Sequence, residues 1–480
     1  MFLEVPDSLF AVIPAVQDLL NMAAAQLSLP SETAAIGQPD FERAVRDHTM
    51  AIERSVHASV FRSLDMDVEG LVVGAQRYRR SHRAKLEVLT MAGPVVVERV
   101  VYRVRGSQQE PNIGVLDLRL CLVDGRTTPA AAQVLSTFLA TGPPSQAATL
   151  LTATRTCLPS TSTLDRLGKV IHDAFEPQRA QIEEEVRLAE LRAEKGPLRV
   201  KLLVVSMDGV MVRMKDAPNT PGASKTEDVP HGHQEAASAT VTLWGEDGSR
   251  LRTVGFARMP ESKKVTLQAQ LKAELSSALD RYPNAHVVFL ADGASENWRI
   301  LREIQNQLKI TNYVMVNDFY HAAEHLVVGL KAGRTDVASI PLWTARLKTA
   351  GGVDACIAEL GRLAATRRVK SSPAALKAVT SEITYLNNQR DRMDYAKYVR
   401  DGIPIGSGIQ EAACKTYVVQ RHKASGMAWR TRGGQGIMTL RALLLSNRLD
   451  HAWNRLVPRL RRPFSVDSSF ERLNAARLAA

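Results

Sequence analysis

Hydrophobic and polar positions divide the chain into a helical first part, a mixed central part and a helical last part. Between Leu198 and Lys331, short apolar runs typical of buried strands alternate with stretches of helical periodicity. Strands are predicted at residues 200–207, with a possible continuation to 214, and at 239–244, 251–256, 286–291 and 313–317. Helices are predicted at 265–282, at 298–308 and from 319 onward.

The order of these elements indicates the fold class. Three strands, a helix, a strand, a helix and a strand is the order of an RNase H-like core, a mixed sheet with helices on its faces. We therefore predict an α/β protein whose RNase H-like mixed-sheet core comprises residues 197–332 and, as C-terminal helices, 405–456. An all-helical insertion is predicted at 333–404, and a loosely ordered basic tail at 457–480.

The region before the core is predicted to be mainly helical and to contain a β-hairpin. Residues 1–80 form a helical N-terminal region, and residues 81–195 form a second region. In the second region, β-branched runs on both sides of Met91–Pro94 predict the hairpin. A helix at 145–154 and another capped by Ser160 resemble a DNA-reading helix-turn-helix, in which Arg166 and Lys169 would contact DNA. Ordinary helical packing is the alternative, and Gly196-Pro197 is the predicted boundary with the core.

Charge and cysteine content narrow the possible partners. The 480-residue chain has 62 Lys and Arg against 50 Asp and Glu, a net charge of +12, which favours a nucleic acid or another anionic partner over a merely soluble basic enzyme. The four cysteines have no zinc-finger spacing, so we expect reduced thiols and a cytoplasmic protein. No signal peptide and no apolar run of about 20 residues is evident, so no membrane partner is expected.

Two aspartates stand at the ends of apolar runs. Asp208 follows the run that begins at Leu202, Asp292 follows the run that begins at His286, and each is followed by Gly. Either Asp-Gly alone is typical of a turn. Together in a basic protein they favour metal ligation, because like charges at one sheet edge need a cation or a proton.

Glu411 is the candidate third ligand. It lies in the first turn of a predicted helix, where a glutamate can also simply complement the helix dipole. The same helix carries Lys415, Arg421 and Lys423, which could neutralise a DNA backbone. Trp429 could stack on an unpaired base or belong to the core.

Asp318 and His321 form a further candidate pair. They lie one helical turn apart, so their side chains can share a helix face. Asp318 could replace Asp292 as a metal ligand, or the pair could position a substrate phosphate. Because an aspartate at a helix start is often a cap, Asp292 is preferred.

These residues together resemble bacterial insertion-sequence transposases. The likeness spans most of residues 80–450 and is to the ISKra group, which is related to Mutator-like DDE enzymes. It is carried by Asp208-Gly209, Asp292-Gly293 with Trp298, the stretch 318–326, and the stretch 407–429 with Glu411 and Lys415. Relatives often have a cysteine pair after the hairpin, whereas residues 102–108 contain none, which puts an N-terminal zinc in doubt.

The resemblance implies a DDE transposase. Asp208, Asp292 and Glu411 would be the catalytic residues and would bind two Mg²⁺ or Mn²⁺ ions, with Asp318 and His321 in an auxiliary role. Such an enzyme cuts phosphodiester bonds at the ends of an insertion sequence and joins the 3′ ends to target DNA. DNA, as terminal inverted repeats and target, and further copies of the chain are the expected partners. A catalytically inactive DNA-binding regulator and a non-transposing RNase H-like nuclease are the alternatives.

Overall fold

The chain forms two units in the computed structural model. The structure describes residues 5–28, 39–104, 111–154, 159–193, 198–215, 232–406, 408–467 and 469. The first unit comprises Met1–Glu183 and Leu449–Ala480, and the second comprises Glu184–Arg448. This division differs from the predicted boundary at Gly196-Pro197, which lies outside the described residues, and from the predicted end of the core at residue 456.

The first unit contains helices and a small sheet. Its elements in chain order are α1 (Ile13–Leu27), α2 (Pro39–Leu64), β1 (Gly70–Val73), β2 (Gln76–Thr90), β3 (Gly93–Arg103), α3 (Val115–Leu120), α4 (Pro129–Thr141), α5 (Pro144–Ala153) and α6 (Thr161–Phe175). The next helix, α7 (Arg179–Ala193), crosses the boundary between the units.

The predicted hairpin is confirmed. Strands β2 and β3 pair antiparallel, and the last pair before the turn is Thr90 with Gly93, whose φ of 105° favours glycine. The hairpin is longer than predicted, because β2 begins at Gln76 and includes the basic cluster Arg77–Arg83. Those cations therefore lie along a strand rather than before it.

The two helices of the predicted helix-turn-helix are present. Ser160 caps α6 as predicted, with its Oγ accepting a hydrogen bond from the Thr163 N–H at 3.2 Å. The break between α5 and α6 includes residues 155–158, which lie outside the described residues. The helix-turn-helix therefore stays a prediction.

One segment near the N-terminus corrects the expectation about apolar runs. Asp7–Leu27 is helical over 21 residues with a mean hydropathy of 1.4, and only 6% of its most apolar window is buried. By length and composition it could cross a membrane, although helices in the cores of soluble proteins and signal sequences also have these properties. The sequence analysis missed it because Asp7, Gln17 and Asp18 interrupt the apolar pattern.

The second unit contains a central sheet and most of the helices. Its elements in chain order are β4 (Val200–Met214), β5 (Gly232–Gly245), β6 (Arg250–Arg258), α8 (Val265–Arg281), β7 (His286–Ala291), α9 (Ser295–Gln307), β8 (Tyr313–Asn317), α10 (Phe319–Ala332), α11 (Ile340–Arg346), α12 (Gly352–Ala365), α13 (Arg367–Lys370), α14 (Pro373–Gln389), α15 (Tyr395–Arg400), α16 (Gly408–Ala413), a π-helical segment (Cys414–Val419), α17 (Gln420–His422) and α18 (Thr431–Leu445).

The sheet of the second unit has the predicted RNase H-like arrangement. Its strand order is β6-β5-β4-β7-β8. Strand β5 is antiparallel to both of its neighbours, β6 and β4, and β4, β7 and β8 are parallel. Leu203 and Val205 of β4 pack with α8 and α9 on one face, whereas Leu202 and Val204 pack on the other face with α10 and the helices of the insertion. This alternation follows from the two-residue period of a strand.

All secondary-structure elements within residues 333–404 are helices, as predicted for the insertion. Helix α14 packs against α10 and α12, and Val379 and Leu386 of α14 are fully buried. The insertion therefore belongs to the core of the second unit rather than forming a separate lobe.

The last elements return to the first unit. These are α19 (Leu449–Arg459) and β9 (Phe464–Val466), and β9 pairs antiparallel with β1 to give the sheet order β3-β2-β1-β9. Phe464 packs with Leu71 and Tyr78, which explains why this segment is ordered. The predicted loose tail is therefore wrong for residues 457–467.

Arg448 stabilises the second unit through a buried ion network. Its guanidinium is 4% exposed and makes two hydrogen bonds each to Glu190 and Glu274, at 2.7–2.9 Å. We expect Arg448→Met to lower the free energy of unfolding by about 3 kcal/mol, because among the described residues Glu190 would keep only Arg252 and the buried Glu274 only Arg187, at 3.9 Å. Thermal or denaturant unfolding measures the loss.

Arg299→Met is the control for that measurement. Arg299 pairs with Glu303 at 2.8 Å, but both side chains are at least 40% exposed, so its loss should cost below about 1 kcal/mol. Equal losses in the two variants would show that the Arg448 network contributes no special stability.

Candidate catalytic site

Three aspartates follow residues that lie in register on neighbouring strands. Met207 of β4 is paired with Ala291 of β7, and Ala291 is paired with Asn317 of β8. The next residue on each strand is an aspartate, namely Asp208, Asp292 and Asp318. The strands are parallel neighbours, as the prediction of a shared edge required. Asp208 nevertheless does not end its strand, because β4 continues to Met214 in pairing with β5.

Asp208 is partly buried beside a second negative charge. Its Oδ1 accepts the N–H of Gly209 at 2.7 Å, and the thiol of Cys414 donates to the same carboxylate. Burial raises the pKa of the Asp208 carboxyl, and the charge of Asp292 raises it further, whereas the hydrogen bonds and the nearby His321 act in the opposite direction. A carboxylate in this setting favours a proton or a cation.

Asp292 is held in a loop that leaves one oxygen available. Oδ1 accepts hydrogen bonds from the Ala294 N–H at 3.2 Å and from Asn297 Nδ2 at 3.0 Å. Within the described residues these bonds involve Oδ1, so Oδ2 remains for a cation. Hard carboxylate oxygens on two strands are ligands that Mg²⁺ accepts.

Glu411 lies in the first turn of α16, as predicted. The preceding residue, Gln410, hydrogen-bonds Ser238 and Thr240 of β5 at 2.9–3.1 Å, and Ser238 is the register partner of Asp208. Cys414, one turn later, contacts Asp208 itself. The helix is therefore anchored beside Asp208 on both sides of Glu411, whose own side chain is exposed.

The predicted ligands are only partly brought together. Asp208 and Asp292 interact electrostatically. Throughout the described part of the chain, however, no three His, Cys, Asp or Glu side chains form a group that could hold a metal ion. The pair of aspartates thus fits a divalent cation, and Glu411 does not complete a cluster with them in this conformation.

Asp318 acts as a helix cap, the alternative that the sequence analysis kept open. It is 1% exposed, and its Oδ1 accepts the backbone N–H of His321 at 2.8 Å at the start of α10. The His321 side chain is 48% exposed and lies 3.8 Å from Glu324. The imidazole is close enough to Asp208 to lower the pKa of that carboxyl.

The basic helix departs from the prediction at Arg421. Lys415 and Lys423 are exposed, as a phosphate contact requires. Arg421 is 2% exposed, its guanidinium lies 5.1 Å from the ring centroid of Trp429, and burial lowers the pKa of Arg421 to about 10. A guanidinium in this place does not meet DNA phosphates on the surface, so that prediction is wrong.

Trp429 is a packing residue. Its Nε1 donates to the carbonyl oxygen of His422 at 3.0 Å, and its ring packs on the His422 ring with centroids 4.5 Å apart. Its backbone bonds to Arg213 and Lys215 next to β4. The core alternative therefore describes this tryptophan better than base stacking.

The two predicted DNA contacts on α6 are paired with carboxylates. Arg166 Nη2 lies 2.8 Å from the Asp124 carboxylate, and Lys169 pairs with Asp165. Both cations remain at least 40% exposed. Their contact with DNA stays a prediction, with part of their charge already neutralised.

Sequence reasoning missed Lys264, a buried lysine behind the aspartates. It is 6% exposed, and its Nζ contacts Glu235 Oε1 at 3.0 Å, Asn297 Oδ1 at 3.2 Å and Glu296 Oε2 at 3.3 Å.

The loop that carries this lysine is strained. Lys263 and Lys264 both have left-handed backbone conformations, with φ of 54° and 51°. Such strain persists where the surrounding structure requires it. Two lysines after Glu261-Ser262 indicate an ordinary exposed loop, so no sequence signal marked this residue.

Lys264 contacts residues that lie next to each of the two aspartates, Asp208 and Asp292. Asn297, which accepts from Lys264, donates to Asp292. The Glu235 carboxylate occupies the position that a Cβ at Gly209, the residue after Asp208, would take, so a larger residue there would displace the end of the Glu235 side chain.

Tyr385 of the insertion also supports the site. Its ring lies against Gly293, where it leaves no room for a Cβ, and its hydroxyl accepts from Asn317 Nδ2 at 3.1 Å. The His325 ring stacks on it at 3.6 Å. Burial, together with the charges of Asp292 and Asp318, raises the pKa of Tyr385 to about 12, so it remains a neutral phenol. The insertion thus fixes the loop that carries Asp292.

Comparison with known proteins gives a limited result. No family model and no curated protein matches the chain. Similar solved structures include the Drosophila P element transposase strand transfer complex, at 13% identity and a TM-score of 0.24 over 72% of this chain and 86% of that one. The Mos1 transposase paired-end complex with left transposon end has 14% identity and a TM-score of 0.16 over 46% and 63% of the two chains. A pre-cleavage Mos1 transpososome has 11% identity and a TM-score of 0.16 over 82% and 99%. Similarities this low assign no role to any residue of this chain.

Proposed function

We propose that this protein is a DDE transposase that cuts DNA at the ends of an insertion sequence and joins the 3′ ends to target DNA. The observation that carries the proposal is the placement of Asp208 and Asp292 at one sheet edge of an RNase H-like core, where burial and the charge of Asp292 raise the pKa of Asp208, a setting that favours a bound cation. The basic charge of the chain and the motifs around Glu411 support DNA as the substrate.

Asp208, Asp292 and Glu411 are proposed to hold two divalent cations, Mg²⁺ or Mn²⁺. When bound, such ions supply an activated nucleophile and stabilise the charge of the transferring phosphoryl group. Glu411 is one helical turn from Cys414, which touches Asp208, and residues at that spacing have Cβ atoms about 5–6 Å apart. A rotation of the exposed Glu411 side chain is the movement that the proposal requires.

The chain's own residues would divide the remaining work. Asp292 is kept in orientation by Asn297 and by the packing of Tyr385 on Gly293. Lys415 in the π-helical segment and Lys423 just after α17 are both exposed and would contact backbone phosphates. In the first step the oxygen of water bonds to phosphorus and the 3′ oxygen of the element leaves as a hydroxyl. In the second step that 3′ oxygen bonds to the phosphorus of a target phosphodiester, and the target's own 3′ oxygen leaves as a hydroxyl.

The test uses a labelled duplex taken from the DNA that flanks the coding region. The proposal predicts cleavage in Mg²⁺ that EDTA abolishes, followed by products joined to a second duplex. Binding without cleavage would favour the inactive regulator, and cleavage without joined products would favour the nuclease.

Asp318→Asn separates the two assignments of the second aspartate. Asparagine is also a good helix cap, so the start of α10 should be preserved. We expect cleavage to stay within about threefold of the wild type, since a cap contributes about 1 kcal/mol to folding and nothing to ligation. If Asp318→Asn abolishes cleavage while Asp292→Asn leaves it intact, the two residues exchange roles.

A further inference from the structure

The sheet of the first unit carries three arginines on one face. Arg79 of β2 is paired with Arg103 of β3, so their side chains lie on the same face of the hairpin. Arg77 precedes Arg79 by two residues and shares that face. All three residues are exposed.

The opposed pair is unusual because like charges directly across a strand pair are destabilising. Within the described residues, neither Arg79 nor Arg103 has a carboxylate partner. Arg77 Nε lies 3.7 Å from Asp467 Oδ2, an ion pair without a hydrogen bond. Three positive charges thus stand together with a single acidic neighbour.

The other face of the same strand differs in its charge balance. A bulge between Arg80 and His82 shifts the register, so Arg80, Arg83 and Lys85 face the same side as Tyr102, Val100 and Glu98. On that side Arg80 and Arg83 both form ion pairs with Asp67. Their hydrogen bonds and charges lower the pKa of the Asp67 carboxyl to about 2, so it is ionised at neutral pH. Lys85 stands opposite Glu98. On this face two carboxylates offset most of the charge of the three cations.

We propose that the arginine face, Arg77, Arg79 and Arg103, binds the phosphate backbone of double-stranded DNA. The proposal rests on the proposed function in that DNA is the partner, and it names a surface that the helix-turn-helix prediction did not include. Side chains on neighbouring strands are about 5 Å apart and those at i and i+2 about 7 Å apart, and each DNA strand carries a phosphate per about 3.4 Å of helix axis. Because arginine side chains are long and flexible, three guanidinium groups at these spacings can reach neighbouring phosphates.

The surroundings of the arginines favour a polyanion over a lipid surface. Between Arg79 and the sheet edge lie Gly70 and Asp467, and beside Arg77 lie Val72 and Ser465. A membrane-bound face needs large apolar or aromatic side chains to insert beneath the headgroups. This end of the sheet has none among its described residues, which favours a polyanion as the partner.

The test compares two triple variants that remove the same charge. In fluorescence anisotropy with a labelled duplex over a series of KCl concentrations, R77Q/R79Q/R103Q should lose about 10–100-fold in affinity near ~0.1 M salt. The slope of log K against log salt should fall in magnitude by about 2–3, as expected for three lost phosphate contacts. The matched control, R80Q/R83Q/K85Q, should change affinity and slope by less than half as much.

Three outcomes would overturn the proposal. The first is wild-type affinity and slope in R77Q/R79Q/R103Q, and the second is an equal loss in both triple variants. The third is a loss of binding to phosphatidylserine vesicles, but not to the duplex, in the arginine-face variant. Thermal unfolding shows whether the triple variants are folded, and the single variant R103Q tests the same face with a smaller change. If the wild type binds no duplex, the proposed function fails as well, whereas wild-type binding that the variant retains contradicts this inference alone.

Discussion

Asp208→Asn, Asp292→Asn and Glu411→Gln should each reduce DNA strand cleavage by about 10³-fold or more. Each substitution removes a negative ligand but keeps the size of the side chain. The loss follows because bound cations contribute several kcal/mol of charge stabilisation, and each 1.36 kcal/mol changes the rate tenfold. Cleavage of the labelled flanking duplex in Mg²⁺ or Mn²⁺ measures the effect.

Affinity for DNA is the control that separates chemistry from folding. The three variants should bind the duplex at least as well as the wild type, since each removes a negative charge near the substrate. Glu411→Gln is especially informative because Glu411 is exposed and has no packing role. Cleavage near the wild-type rate in any one variant would remove that residue from the active site.

Lys264→Met should impair both folding and the response to metal. The substitution leaves the buried Asn297 Oδ1 without its donor, which should lower the free energy of unfolding by about 1–3 kcal/mol, whereas Glu235 is more than 40% exposed and can be hydrated. Because Asn297 orients Asp292, the Mn²⁺ concentration for half-maximal cleavage should rise by about 10–100-fold. Unfolding and a Mn²⁺ titration of cleavage measure the two effects separately.

A matched variant distinguishes a positioning role from a purely structural one. Glu235→Gln, alone and combined with Lys264→Met, gives a double-mutant cycle for the ion pair between Lys264 and the exposed Glu235. The double variant should be about as stable as Lys264→Met alone, because a hydrated Glu235 carboxylate contributes little once its partner is gone. If Lys264→Met lowers stability while the Mn²⁺ dependence stays as in the wild type, Lys264 does not position Asp292.

The central strands could be predicted because each is a short apolar run between polar breaks. Strands β7 and β8 have the predicted bounds, 286–291 and 313–317. Strand β5 starts earlier than predicted, at Gly232, because the polar residues His233, Gln234 and Glu235 pair with the continuation of β4 beyond Asp208. Pairing partners of this kind are a tertiary property that local composition does not reveal.

The basic helix shows where residue type fails as a guide to exposure. The prediction groups Lys415, Arg421 and Lys423 by their charge, because arginine and lysine are mostly exposed in proteins. On a regular helix of 3.6 residues per turn, however, Arg421 and Lys423 point to opposite sides. Arg421 is 2% exposed and its guanidinium lies over the Trp429 ring, whereas Lys415 and Lys423 are exposed. The contact with Trp429 depends on the folded chain, so the sequence does not indicate which of the three cations is buried.

The sequence allowed the shared position of the two aspartates to be predicted, but not the residues that support them. Strand-end aspartates in a basic protein indicated Asp208 and Asp292, and parallel neighbouring strands brought them to one edge. Lys264 and Tyr385 come from a strained loop and from the insertion, far from the aspartates in sequence. Only the folded chain places them behind Asp292.

Anomalous diffraction from crystals soaked in Mn²⁺ tests the central claim most directly. We predict a manganese peak about 2.0–2.3 Å from carboxylate oxygens of both Asp208 and Asp292, with the Glu411 side chain rotated towards it. The peak should be absent in crystals of Asp208→Asn. Strong manganese peaks elsewhere in the wild type, with none between these two aspartates, would contradict the account.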